Sequence, residues 1–362
     1  MQMITKSQIL FPIFVFLIFI SQKPIFAKDS NSLSIGFGSC LHQDKESPIL
    51  NTILGKKLEY LILLGDIVYA DSLIADEKIP AFEKQFNRKE WKSIQKNTQL
   101  LFTWDDHDYG LNDSGGEYPD KVKSRNLFLS YVKPRMPKKI TFGTKNKEGV
   151  FYSYWVLFHG KKIHIVVPDT RYFRSPLQRS FLSYFTGKSH YKPSNETNQN
   201  LLGDEQWIWL EEELSKPSDL LVFVSSIQVL PTEQPFEKWN NLPNEREKLI
   251  QSLYKANTKD MVILSGDRHL AEIHEYKNMN HPRLVEITSS SFNLPLPWLP
   301  LEYDSELKLG KAYKNENFGI LQIFWNDGKL HWKSTIHDKE GNSVLEYDPS
   351  QETVSNQSKG IE

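Results

Sequence analysis

The 362 residues carry 44 lysines and arginines against 45 aspartates and glutamates, a formal net charge of −1. That balance gives no chain-wide electrostatic reason for binding nucleic acid or an anionic membrane, so any affinity for phosphate has to be local. A hydrophobic fraction of 39% over this length supplies a large core, and a lone cysteine, Cys40, rules out a framework of internal disulfides.

Lys6 precedes an apolar run over residues 9–20, and Ala27 stands just before Lys28-Asp29-Ser30, the order of a secretory signal peptide. The run falls short of the roughly 20 residues of a membrane span. Residues 1–27 are therefore expected to be a signal peptide and the chain to be exported, periplasmic or extracellular. One folded domain is expected over residues 33–345, with a flexible tail over 346–362.

Residues 33–37 read as a strand running into Gly38-Ser39-Cys40, followed by a helix at 48–56 with Ser47 as its candidate cap. Residues 58–64 form a continuous apolar run ended by Gly65-Asp66, the pattern of a strand buried on both faces. The spacing predicts an amphipathic helix over 79–97, with Phe82, Phe86, Trp91 and Ile94 inward, and then a strand at 100–104 that ends in Asp105-Asp106-His107-Asp108. This alternation predicts parallel strands with helical crossovers.

Residues 150–158 and 162–167 flank His159-Gly160-Lys161 as a hairpin, whose second strand delivers Pro168-Asp169-Thr170-Arg171. The polar stretch 175–202 reads as a long surface loop or lid. Asp204 is the candidate cap of a helix over 205–214. Strands are predicted at 220–224 and 261–264, separated by a helix at 244–256, and the later strand runs into Ser265-Gly266-Asp267-Arg268-His269. Residues 283–288, 318–325 and 329–336 favour an antiparallel meander, with Asn326-Asp327-Gly328 as a hairpin turn.

Five polar segments thus follow apolar runs, and open α/β folds place ligand sites at the carboxyl ends of strands. Asp66 is a candidate metal ligand, because a carboxylate can bridge two cations through separate oxygens; an Asp capping a turn is the plainer reading. Tyr69 and Cys40 together offer phenolate and thiolate, which suit a trivalent iron better than magnesium, against the alternatives of a core aromatic and an inert thiol. Asp106 is the next ligand candidate, with His107 as a proton donor or charge stabiliser and Asp108 as the group that orients its imidazole. Asn112 and Asp113 stand close enough in sequence to add oxygen ligands. Arg171 presents a planar fork matching two phosphate oxygens, or else a structural pair with Asp169. Asp267 and His269 point the same way if their strand continues, and so can face one metal cluster. His42 is expected at the surface. No Gly-x-Ser-x-Gly elbow, phosphate loop or dinucleotide fingerprint is present.

In their order, Ser39-Cys40, Gly65-Asp66 with Tyr69, Trp104-Asp105-Asp106-His107-Asp108, Asp169-Thr170-Arg171 and Gly266-Asp267-Arg268-His269 resemble the alkaline phosphatase D (PhoD-like) family of metallophosphoesterases over most of residues 33–340. The resemblance implies an α/β fold, a four-layer αββα sandwich, with Fe3+ and Ca2+ beside the phosphate. Carried over by motif, Cys40 and Tyr69 would be iron ligands and Asp66 would bridge to calcium. Asp106 would stand where the wider superfamily places an asparagine ligand, and His107 where it places the catalytic histidine. Asp267 and His269 would complete the cluster, and Arg171 would touch phosphate. Unlike secreted members with an immunoglobulin-like domain ahead of the catalytic one, only a few residues separate Ala27 from Leu33, and the amino terminus has no arginine pair.

The activity expected is that of an exported metal-dependent phosphoesterase, hydrolysing phosphodiesters, phosphomonoesters or both with a metal-activated water or hydroxide. Its partner would be a phosphate-ester small molecule or polymer. Two other readings are a phospholipid-directed phosphodiesterase, with Trp207, Trp209 or the lid touching lipid, and an inactive metal- or phosphate-binding module.

Overall fold

The apolar runs that end in polar motifs become inner strands of two sheets. In the computed structural model, which describes residues 31–181, 190–326 and 328–351, the first sheet holds β1 (Ser32–Gly38), β2 (Tyr60–Leu64), β3 (Gln99–Thr103), β10 (Asn317–Asn326), β11 (Lys329–Asp338) and β12 (Ser343–Tyr347). Its order is β12-β11-β10-β1-β2-β3, with β1, β2 and β3 parallel and β10 antiparallel to β1. The second sheet holds β4 (Tyr152–Phe158), β5 (Lys161–Val167), β6 (Leu220–Ser225), β7 (Met261–Ser265), β8 (Ala271–Asn278) and β9 (His281–Ser289). Its order is β4-β5-β6-β7-β9-β8, parallel from β5 through β9 and antiparallel at both edges.

The period-two alternation of strands sorts the second sheet's side chains into two layers. Ile163, Ile165, Val167, Leu220, Val222, Val224, Val262 and Leu264 join one core with Ile35, Phe37, Leu61 and Leu63 of the first sheet. Their neighbours Val166, Leu221, Phe223 and Ile263 pack instead with Trp207, Leu210 and Leu214 of one helix (Asp204–Ser215) and Leu249, Ile250 and Leu253 of another (Pro243–Tyr254). On the first sheet the covering side chains come from α1 (Pro48–Gly55), α2 (Ile79–Phe86), α3 (Lys89–Ile94) and α5 (Lys121–Val132), the last following a single helical turn, α4 (Asp106–Tyr109). The result is the helix–sheet–sheet–helix sandwich that the resemblance implied.

Several local expectations need correction. The helix over 79–97 is broken at Asn87-Arg88, where the Arg88 guanidinium turns back to donate to the carbonyls of His42, Gln43 and Lys45 at 3.1, 3.0 and 2.6 Å. Its four inward residues, Phe82, Phe86, Trp91 and Ile94, are nonetheless all buried. Asp204 is the first helical residue rather than the cap, because Gly203 with φ of 71° makes the entry turn. Ser47 does stand at the N-cap of α1, but its side chain makes no capping bond; its hydroxyl accepts from Asn293 Nδ2 at 2.7 Å. Residues 283–288 leave the expected meander for the second sheet, where β9 pairs with β7 and with β8, a strand whose charged sequence gave no signal. The hairpin of β10 and β11 forms as expected, with Asp327 of its turn outside the described residues, as are the expected signal peptide and residues 352–362. Tyr347 in β12 is buried and donates to Glu275 at 2.9 Å, so the sheet extends two residues past the expected end at 345.

Candidate metal centre

The parallel strands of both sheets deliver their polar termini to one rim, as the hydrogen bonds from Phe292 and Asn293 N–H to the Ser39 and Cys40 carbonyls and from Ser226 to Asp105 show. At the end of β2, Gly65 has φ of 99°, and a Cβ there would lie 2.6 Å from Asp105 Cβ and 2.7 Å from Asp105 N, so only glycine lets the two strand ends approach. Asp66 follows in the left-handed region with φ of 53°. Its turn is pinned by Asp108, whose carboxylate accepts from the N–H groups of Asp66 (2.6 Å), Ile67 (3.0 Å), Val68 (2.8 Å) and Asp105 (3.0 Å). Burial pushes the Asp108 carboxyl up to about 6 against the pull of those donors. The expectation that Asp108 orients His107 is therefore not met. Asp71 Oδ1 lies 2.7 Å from His107 Nδ1 and takes that role.

Asp66, Asp105, Asp106 and Asp267 each bring one oxygen within 4.8 Å of the others, and Asp66, Asp106 and His107 form an overlapping group of the same kind. Asp66 Oδ1, Asp105 Oδ2 and Asp106 Oδ1 are buried without any hydrogen-bond partner. Burial, and then repulsion from Asp106, holds the carboxyls of Asp66 and Asp267 well above the usual range. Asp105 is likewise raised by burial, against the pull of Arg171. Burial also opposes charge on Asp106, but His107, Arg171 and the Asp113 N–H prevail and hold it below the usual range. Crowded carboxylates with unsatisfied oxygens are costly unless cations compensate them, so the donor set fits a metal centre.

Softer donors adjoin this cluster. Cys40, with φ of 58°, has its Sγ 3.6 Å from Asp66 Oδ2 and 3.2 Å from Ser290 Oγ, and the Tyr69 hydroxyl donates to the same Asp66 Oδ2 at 3.2 Å. Burial opposes ionisation of the Cys40 thiol, yet His269 beside it brings the thiol down to about 6. His269 Nδ1 is 2.7 Å from the Leu294 carbonyl, which fixes the ring. Asp267 and His269 converge through a loop and not along a strand: β7 stops at Ser265, and the two residues have φ of 71° and 56°.

Other expectations end differently. Arg171 is fully buried, its Nε donating to Asp105 Oδ1 at 2.6 Å and its Nη1 to Glu237 Oε2 at 2.5 Å, so the fork expected to face phosphate is taken up by carboxylates. Asp169 does not hold that fork; its carboxylate accepts from Trp104 Nε1 and from the N–H groups of Val150, Arg171 and Tyr172. Asn112 is exposed and donates to Asp113 Oδ2, and Asp113 joins Asp106 and Glu237 in its place. His42 is half-buried and stacks on Tyr69 at 4.9 Å, whose other neighbour is the His107 ring at 4.3 Å. Trp207 is 3% exposed and donates to Glu245, and Trp209 is half-buried and packs on Phe151 at 4.7 Å. From the expected lid, Tyr191 reaches Asp113 Oδ2 at 2.8 Å; residues 182–189 lie outside the described residues. Among the described residues no helix is long and apolar enough to cross a membrane.

Asp71 and Glu237 were missed as site residues. Asp71 stands two residues past Tyr69, a signal the sequence does carry, whereas Glu237 lies in a stretch without strand or helix periodicity.

A family model described as PhoD-like phosphatase matches residues 81–317. Alkaline phosphatase D of Bacillus subtilis (strain 168) is 25% identical in an alignment 189 residues long that covers 47% of this chain and 30% of that protein. The aligned stretch is thus less than a third of that relative's length. Among solved structures, that of PhoD superposes with a TM-score of 0.68 at 16% identity, covering 91% of this chain and 72% of the other. Purple acid phosphatase PPD1 from yellow lupin (Lupinus luteus) seeds gives 0.57 at 11% identity, covering 88% and 53%. GAP50, the anchor in the inner membrane complex of Plasmodium, gives 0.56 at 12%, covering 88% of both. At these identities the structures establish a shared fold.

Proposed function

The chain belongs to the PhoD-like phosphatase family, and from that membership we propose that it is a metal-dependent phosphoric ester hydrolase acting at the acidic cluster. One observation carries the reading: three buried carboxylate oxygens without partners, on Asp66, Asp105 and Asp106, at the carboxyl ends of two adjacent parallel strands. Cys40 and Tyr69 would hold Fe3+, Asp66 would serve that ion and Ca2+, and Asp106, Asp267 and His269 would complete the same cluster. Cations held there supply neutralisation of phosphate charge and acidification of water. His107, tethered through Nδ1 to Asp71, brings a ring nitrogen to Asp66 and Asp106, placed to protonate a leaving oxygen or to stabilise charge on the phosphoryl group. Asp108 serves by fixing the turn that aims Asp66. The substrate is a phosphodiester, a phosphomonoester or both, recognised locally since the chain has no charge excess. Export is proposed from the order of Lys6, the apolar run and Ala27.

The test is hydrolysis of a chromogenic phosphodiester beside its monoester by the purified chain supplied with Fe3+ and Ca2+. Release from at least one ester, abolished by a chelator and restored by metal, is expected. Asp66→Asn should lose both bound metal and turnover. No release by protein that demonstrably holds metal would turn the reading to a binding module.

A further inference from the structure

Arg171 is part of a closed circuit of buried polar contacts around Asp106. Its Nε and Nη2 lie 2.6 and 2.5 Å from Asp105 Oδ1, and Nη2 lies 3.8 Å from Asp106 Oδ1. Nη1 meets Glu237 Oε2 at 2.5 Å. The other Glu237 oxygen, Oε1, faces Arg174 Nε at 3.1 Å. Arg174 Nη2 donates to the Asp113 carbonyl at 2.5 Å, and the Asp113 N–H donates to Asp106 Oδ2 at 2.7 Å, which closes the ring. Arg171, Arg174, Glu237, Asp105 and Asp106 are each at most 2% exposed, so solvent screens these charges little.

In this ring Arg171 is shared between two sets of anions, Asp105 with Asp106 on one side and Glu237 on the other. A cation entering the acidic cluster competes with Arg171 for Asp105 and Asp106. We propose that Glu237 is a positioning residue that sets the cation affinity of the metal centre, by drawing Arg171 away from Asp105 and Asp106, and that Arg171 acts on these ligands instead of on phosphate. Arg174 works in the opposite sense, because it takes up one oxygen of Glu237 and weakens its hold on Arg171. The inference rests on reading the acidic cluster as a metal centre.

The experiment titrates Ca2+ calorimetrically into the metal-stripped chain and its variants, with thermal unfolding alongside to establish that each is folded. Glu237→Gln keeps the shape but leaves Arg171 to the two aspartates, and should weaken Ca2+ binding by roughly 10- to 100-fold. Arg174→Gln should tighten it several-fold. KM for a soluble phosphate ester, measured in Glu237→Gln at saturating cation, reads whether Arg171 meets the substrate. Damage to packing alone would weaken binding in both variants and so overturns the proposal, as does unchanged affinity in Glu237→Gln. A raised KM with unchanged Ca2+ affinity would assign Arg171 to the substrate and also overturn it. If Glu237→Gln fails to fold, the sign in Arg174→Gln decides: unchanged or weaker binding rejects the proposal. Wild-type protein that binds no Ca2+, Fe3+ or Mn2+ would instead remove the metal-centre reading itself.

Discussion

A carboxylate on one imidazole nitrogen fixes which way the other nitrogen faces, and Asp71 supplies that carboxylate to the His107 ring. Asp71 is itself exposed, and the largely buried His107 imidazolium left by its replacement still faces the Asp106 carboxylate. Asp71→Asn should therefore lower kcat by roughly 10- to 100-fold with metal content and thermal stability unchanged. Steady-state kinetics with metal analysis check this, and an unaltered kcat would show that His107 needs no tether. Four candidate ligands, Cys40, Asp66, Asp267 and His269, sit in left-handed backbone, a conformation uncommon for any residue but glycine and tolerated better by Asp and His than by Cys. None can become glycine to relieve that strain without losing its donor.

At the scale of elements, α4 is a single turn too short to hold its own shape, yet it carries Asp106 and His107. Lys78 stabilises it from outside: the buried ammonium donates to the carbonyls of Asp108 (2.5 Å) and Tyr109 (2.7 Å) and to Ser124 Oγ (2.9 Å). Lys78→Met should cost about 2–4 kcal/mol and reduce turnover through disorder of His107, read from denaturant unfolding and kcat. Parallel strands such as β2 and β7 were legible because burial on both faces writes an unbroken apolar run. Strand β8 is not, since Glu272, His274, Glu275 and Lys277 give it a polar reading although the first two are buried in the fold. The same contrast holds in the site. Cys40, Asp66, Asp106, Asp267 and His269 stand at or just beyond strand ends, where a sequence can point to them, whereas Glu237 comes from a loop whose sole signal is its three-dimensional pairing with arginines. Arg171 stands just beyond β5, but an arginine's sequence neighbours do not say which carboxylate its fork will reach, so its pairing with Asp105 and Glu237 was not legible.

At the scale of the whole molecule, stability should fall in mild acid for reasons remote from the site. Burial holds His274 down to about 3, with Lys308 and Arg268 reinforcing it against Glu233, and burial with Lys56 nearby holds His337 down to about 4 against the Gly341 carbonyl and Asp338. Both are neutral in the fold but take up a proton near pH 6.5 when unfolded, so their contribution is complete above about 6.5 and is lost as pH falls from there toward 4 and 3. Each such group steepens the loss by at most about 1.4 kcal/mol per pH unit. His337→Asn should flatten the dependence of unfolding free energy on pH between 6.5 and 4, measured in urea; an unchanged slope would mean that His337 titrates normally in the fold.

The register that joins Ser32 to Phe324 and Phe37 to Gly319 makes the first sheet a product of both ends of the described chain. A ribosome releases β1, β2 and β3 early, with Cys40, Asp66 and Asp106 already synthesised, but the strand that closes the sheet beside them emerges about 280 residues after β1. Asp267 and His269 appear only shortly before it. The sheet beside these residues therefore cannot close until a strand far along the chain has been made, and the geometry around Cys40 depends on contacts of high sequence separation.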